Sequence, residues 1–364
     1  MAGDEYGTVD DGPDYTKRTT ILYVVAGIIV VVALWWMFSS MDYVAQAPRS
    51  EWAYEMVQLE DANAEGYTGQ DVRLAIIDTG IDPDHPSLED ANIVEWLDLV
   101  NGRTVPYDDD GHGTAMASII AGNDPIKGGA EDVDLIIVKV LDDMGESTDS
   151  MVADGIMFCL DPNGDGEYSD RADVISMSLG GHMSYIGAII GTDTKAAVEM
   201  AASFGVLMVA AAGNDGESDD GDVASPGWFP DVICVGAVDE DGTIGGFSSR
   251  GRNIFKVDPN KKPEVVAPGV GVISAWKNER YVTASGTSQA TALVSACLAV
   301  MLSAVPELKH TGPSGGTDDV VALVKTKLME TSMPQAEQDT PHDNYYGYGL
   351  IQTMDLIDAL KAEV

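Results

Sequence analysis

The sequence predicts an α/β domain, a mostly parallel sheet with helices on both faces, preceded by one transmembrane helix. Three observations carry this. Short, continuous apolar runs bounded by turn residues recur from about residue 70 onward. Apolar segments of helical length alternate with them. Ahead of both stands an uncharged stretch, ILYVVAGIIVVVALWWMF at 21–38, which approaches the roughly 20 residues that span a bilayer.

Taken in order, residues 1–18 read as an acidic, disordered tail, closed by Lys17 and Arg18. Residues 19–40 are the expected anchor, with Tyr23 near one interface and Trp35 and Trp36 near the other. The next basic residue is Arg49, so positive charge sits on the N-terminal side only. That asymmetry predicts a single-pass protein of the cell membrane, its tail cytoplasmic and its remainder extracellular. Ala45 and Ala47 offer an A-x-A pattern, so a cleaved signal and a secreted chain are the competing expectation. Pro48 and the length of the apolar run speak against cleavage. Residues 41–50 form a linker, and 51–364 one soluble domain without internal repeats.

Within that domain, buried strands are expected at 72–78, 134–141, 173–181, 205–214 and 231–239. Helices are expected at 112–121, 150–160, 193–203 and 288–304. In such folds active groups gather at the carboxyl ends of the strands. Asp and Glu outnumber Lys and Arg by 60 to 20, a formal charge of -40. Such a surface repels phosphate backbones, so no nucleic-acid partner is expected. Cys159, Cys234 and Cys297 lie in apolar segments without metal spacing and read as buried small hydrophobes.

Four polar groups end apolar runs and are framed by small residues. Asp78 closes a strand in IIDTGIDPDHPSL. His112 opens a helix in YDDDGHGTAMASIIAG. Asn214 closes a strand in AAAGNDG, and Ser288 opens a helix in ASGTSQATALVSACLAVM. These types suit nucleophilic acyl transfer. A serine hydroxyl needs a base within reach, and the base needs a partner that fixes its tautomer. Asp78 can hold His112, and His112 can take the proton of Ser288. The Asn214 side-chain amide and the Ser288 backbone N–H can stabilise the oxyanion. The run Asp108–Asp110 either raises the basicity of His112 or is a solvated loop.

With DTGID, GHGT, AAGN and GTS in this order, the chain resembles the subtilisin-like serine peptidases, the subtilases, from about residue 51 to about 360. The resemblance implies a subtilisin-like fold and a serine endopeptidase acting on peptide or protein substrates, without organic cofactor. Here the lipid bilayer is a further partner through the one helix. It further implies that Ser178, Leu179, Gly180 and Gly181 line a cleft where an extended peptide pairs as an added strand. Residues 211–216, with Ala211, Ala212 and Gly213, would wall the pocket for the residue before the cut. A catalytically inactive peptide-binding relative on the membrane is the alternative.

The chain departs from the family pattern in places. Ala115 and Ser118 stand where a histidine and a glycine are common, and Gln289 and Ala292 where a methionine and a proline are. Too little chain separates the anchor from the first strand to hold the folding prodomain usual in secreted members. Finally, DPNGDGEYSDRAD at 161–173 repeats the first half of a calcium-binding EF-hand loop. Asp161, Asn163, Asp165, Glu167 and Asp170 are the candidate Ca2+ ligands, although Ala172 takes the place of the expected bidentate glutamate.

Overall fold

A computed structural model describes residues 50–180, 193–216, 222–336 and 338–364. These lie in one compact unit, Ala47–Val364. The tail, the anchor, the linker up to residue 49 and Gly181 lie outside the described residues.

Two short helices, α1 (Glu51–Met56) and α2 (Leu59–Ala64), lead into the sheet. The strands are β1 (Arg73–Asp78), β2 (Asn92–Asp98), β3 (Asp134–Lys139), β4 (Val174–Met177), β5 (Leu207–Ala211), β6 (Val232–Val238) and β7 (Val265–Pro268). Among the described residues they form one sheet in the order β2-β3-β1-β4-β5-β6-β7. Every pairing in it is parallel. A separate antiparallel hairpin joins β8 (Val272–Trp276) to β9 (Arg280–Ala284).

Successive strand residues face opposite sides of a sheet, so unbroken burial means that both faces are covered. β4, β5, β6 and β7 are buried at every residue, and β1 and β3 at all but their first. β2, at the edge, is mostly half-exposed. Helices α3 (His112–Ala121) and α6 (Thr287–Ala304) pack on each other, and α6 runs across β4 to β7. Helices α4 (Asp149–Phe158) and α5 (Asp193–Ser203) pair and lean on β1 and β5. α7 (Asp318–Thr331) and α8 (Thr353–Lys361) close the domain. Among the described residues, the helix long and apolar enough to cross a membrane is α6, but 83% of it is buried, which makes it the core helix.

The core follows from this layering. Cys159, Cys234 and Cys297 are all buried and free. Burial pushes the Cys297 thiol up to about 12 and raises the other two well above the ordinary range. An ionic cluster lies in the interior. Lys262 and Lys325 both reach Glu264 Oε1, at 2.8 and 2.7 Å. Burial pulls the Lys325 ammonium down to about 8, against the opposing pull of Glu264.

Strand order reverses at β1, which lies between β3 and β4 while β2 forms an edge. The crevice beyond the carboxyl ends of strands at such a point is where ligands bind in parallel sheets.

Candidate active site

Asp78 is the last residue of β1 and is 1% exposed. Its Oδ1 accepts from the Thr79 N–H at 2.7 Å and lies 2.8 Å from His112 Nδ1. An N–H on Nδ1 donates to that carboxylate, which leaves Nε2 as the basic nitrogen. His112 is the first residue of α3, behind Gly111 at φ +116°. A side chain at Gly111 would meet the Trp276 ring at 2.6 Å, and one at Gly113 the Gly80 carbonyl oxygen at 2.1 Å. Only bare backbone lets α3 start this close to β1.

The acidic run before His112 is a bonded scaffold rather than a solvated loop. Asp108 Oδ1 accepts from Thr79 Oγ1, Asp110 N–H and Gly111 N–H, and its Oδ2 accepts from the N–H and hydroxyl of Thr114. Asp109 pairs with Lys139 at 2.7 Å, a fully buried ammonium that also donates to the Thr79 and Leu141 carbonyls. Asp110 accepts from the His112 N–H at 3.0 Å. Desolvation lowers the basicity of His112. Asp78, with Asp110 and Asp108 behind it, more than offsets this, and the net shift is upward. The base must be neutral to act. The acid limb of kcat/KM against pH is therefore expected above the ordinary histidine value of about 6.5. Removing a negative charge lowers that value, so Asp110→Asn should move the limb to lower pH. A pH–rate profile of the two proteins checks this.

Ser288, 9% exposed, is the second residue of α6. Its Oγ donates to the Ser178 carbonyl at 3.2 Å, not to His112, and Ser178 Oγ donates back to the Ser288 carbonyl at 3.0 Å. A rotation about one side-chain bond re-aims the hydroxyl, and such bonds commonly tighten only with substrate. Asn214 follows β5. Its Oδ1 accepts from the Thr287 N–H at 2.9 Å and from Thr287 Oγ1 at 3.1 Å. With the oxygen held, Nδ2 is the end left to donate.

Asp78 joins His112 directly, and His112, Asn214 and Ser288 line one cleft of about 970 Å³. Ser178, Leu179, Gly180, Ala211 and Gly213 line it too. Ala212 does not. It is fully buried, packed with Val223 and Cys234 behind the wall. Thr79, Lys139 and Thr287 were not legible as site residues, and Asp110 only as part of the acidic run before His112. Their signal is only that they adjoin the four motifs or end the neighbouring strand β3. Ser118, in place of the glycine, donates to the Ala115 carbonyl and accepts from the Ala275 N–H, tying α3 to β8.

The 161–173 loop turns its oxygens to its own backbone. Asp161 accepts from the N–H groups of Asp165 and Gly166, and Asp165 from that of Glu167. Asn163 Nδ2 donates to Asp165 Oδ2 at 3.1 Å, and Asp170 Oδ2 accepts from the Asn163 N–H. Ala172, at the twelfth position, is fully buried. Among the described residues no three His, Cys, Asp or Glu side chains gather to hold a metal. In this arrangement the loop's side chains do not converge on a Ca2+ site, which takes six to eight oxygens.

The architecture and the cleft define a class, and comparison with known proteins agrees with it. The subtilase family profile matches residues 69–349. Serine protease AprX of Bacillus subtilis (strain 168) is 34% identical over 315 residues, 79% of this chain and 66% of AprX. Subtilisin DY of Bacillus licheniformis is 33% identical over 300 residues, covering 81% of this chain and 94% of that protein. Subtilisin E of Bacillus subtilis (strain 168) is 35% identical over 317 residues, 85% of this chain and 72% of its own. The chain belongs to the subtilase family. It is a serine endopeptidase.

Proposed function

We propose that this chain cleaves peptide bonds with Ser288 as nucleophile, His112 as general base and acid, and Asp78 as the group that orients the imidazole. His112 Nε2 takes the Ser288 proton as Oγ attacks the scissile carbonyl. It then gives that proton to the leaving amine, and water completes the hydrolysis. Asn214 Nδ2 and the Ser288 N–H stabilise the oxyanion. The 2.8 Å Asp78–His112 contact at one rim of the cleft that holds Ser288 is the observation that carries this reading. Asn214→Ala should lower kcat about 100- to 1,000-fold and leave KM little changed, as for loss of one oxyanion donor. Steady-state kinetics on one peptide substrate checks it.

The cleft also carries Asp110, Glu146, Asp149 and Asp215, with no Lys or Arg among its described lining residues. Its field favours cationic peptides. A library digest should therefore enrich Lys and Arg near the cut at low ionic strength. That enrichment should fade as salt is raised.

The enzyme is tethered to the cell membrane by residues 19–40, with the catalytic domain outside. The support is the uncharged 21–38 stretch, Lys17 and Arg18 before it, and the aromatic residues at its ends. Alkaline extraction of membranes should leave the chain in the pellet, and added protease should degrade the domain on intact cells. Release into the medium as a chain starting after residue 40 would overturn the tether without touching the chemistry.

A further inference from the structure

Helix α6 holds one side chain that its surroundings leave unexplained. Gln289 directly follows the nucleophile, is 5% exposed, and is surrounded in sequence by Ala290, Ala292 and Leu293. Its Oε1 is buried without a hydrogen-bond partner. A buried amide oxygen without a partner is costly, and natural interiors rarely keep one without a use.

The amide is aimed at a definite place. Gly286 precedes α6 and has no side chain to fill the space beside it. The point where its Cβ would sit lies 2.8 Å from Gln289 Oε1, 3.5 Å from Asn214 Nδ2 and 3.7 Å from the Ser288 backbone nitrogen. Two donors of the proposed oxyanion site and the Gln289 amide thus border one small hollow. Half a turn about the terminal bond of Gln289 exchanges Oε1 for Nε2. This sets an N–H donor facing the same hollow, and no hydrogen bond opposes the turn.

We propose that Gln289 is a third donor to the oxyanion, the second from a side chain, an inference that rests on the peptidase reading above. As Ser288 Oγ bonds to the scissile carbon, its proton passes to His112 Nε2 and the carbonyl π pair moves onto oxygen. The resulting alkoxide accepts from Asn214 Nδ2, the Ser288 N–H and Gln289 Nε2. On collapse the pair re-forms the carbonyl, the C–N bond breaks, and the amine leaves with the proton from His112. Gln289 gains and loses no proton. It touches the reacting oxygen only while that oxygen is charged, so it acts on the transition state and not on substrate binding.

Gln289→Met and Gln289→Leu, made in the full chain, test this. Both are expected to lower kcat about tenfold to a hundredfold with KM within about twofold, less than a primary donor costs. Affinity for a peptide aldehyde, which forms a charged hemiacetal on Ser288, should fall by a similar factor. Thermal midpoints should stay level or rise, since a buried unpaired oxygen is lost. Undiminished kcat and aldehyde affinity in both variants would overturn the inference. So would kcat losses that track a falling thermal midpoint with aldehyde affinity unchanged. If one variant fails to fold, the other decides. A wild-type chain that cleaves no peptide overturns the parent reading and this one together, whereas cleavage with unaltered variants overturns this one alone.

Discussion

Ser288→Ala, and separately His112→Ala, should each lower kcat about a million-fold, to within a factor of about 10³–10⁴ of the reaction in water. That magnitude is the one measured on subtilisin. The reason it applies is geometric. Without Oγ there is no atom to attack the carbonyl, and without the imidazole the hydroxyl stays protonated and weak. The two losses should not multiply, because the hydroxyl and the ring act as one unit. The double variant should match either single one. What activity remains belongs to Asn214, the Ser288 N–H and the cleft. Neither change should unfold the chain, since the Ser288 hydroxyl binds only the Ser178 carbonyl and the His112 ring is 27% exposed. Steady-state rates with active-site titration, alongside thermal midpoints, check both halves.

Asp78→Asn should cost about 10⁴ in kcat. The amide keeps the shape of the carboxylate but can present N–H where Oδ1 now accepts. Oδ1 holds two hydrogens, from His112 Nδ1 and Thr79 N–H. An amide nitrogen facing the ring would force the proton onto Nε2, the nitrogen that must be free to take the serine proton. The charge that stabilises the imidazolium is lost as well. Since Asp78 contributes to the raised basicity of His112, the residual activity should show its acid limb at lower pH than the parent. A pH–rate series on both proteins measures the loss and the shift together.

Much of this was legible in the sequence because the physics is local. β1, β3 and β6 run as unbroken apolar stretches, and α3, α5 and α6 appear within a residue of their expected ends. Asp78, His112, Asn214 and Ser288 stood out because each ends an apolar run among small residues. β2 was not legible. As a half-exposed edge strand, NIVEWLD lacks both a continuous apolar run and a clean alternation. β7 has only four residues and ends in Pro268, so its strand character comes from pairing with β6. The β8–β9 hairpin is held by contacts with distant parts of the chain, such as Ser118 Oγ to Ala275.

The site shows the same division. No pattern along the chain reveals that Lys139 is fully buried and bonded to Asp109, because that contact exists only once β3 lies beside β1. Nor could it reveal that Thr287 fixes the Asn214 amide, a contact spanning 73 residues. The aspartates at 108–110 looked alike in sequence but do three different things. One organises the turn, one neutralises a buried lysine and one caps the His112 N–H. In the 161–173 loop, spacing and geometry point in different directions. Its spacing suits a cation, but Asp161, Asn163 and Asp165 accept from the loop's own backbone N–H groups.

The account rests on one hydroxyl being chemically unlike every other serine in the chain, and a fluorophosphonate probe reads that property directly. Incubation of the intact protein at neutral pH, followed by peptide mass analysis, should place a single phosphonyl adduct on Ser288. The adduct should be absent after His112→Ala and sharply slowed after Asp78→Asn. An adduct on another serine, or none on folded protein, would contradict the account.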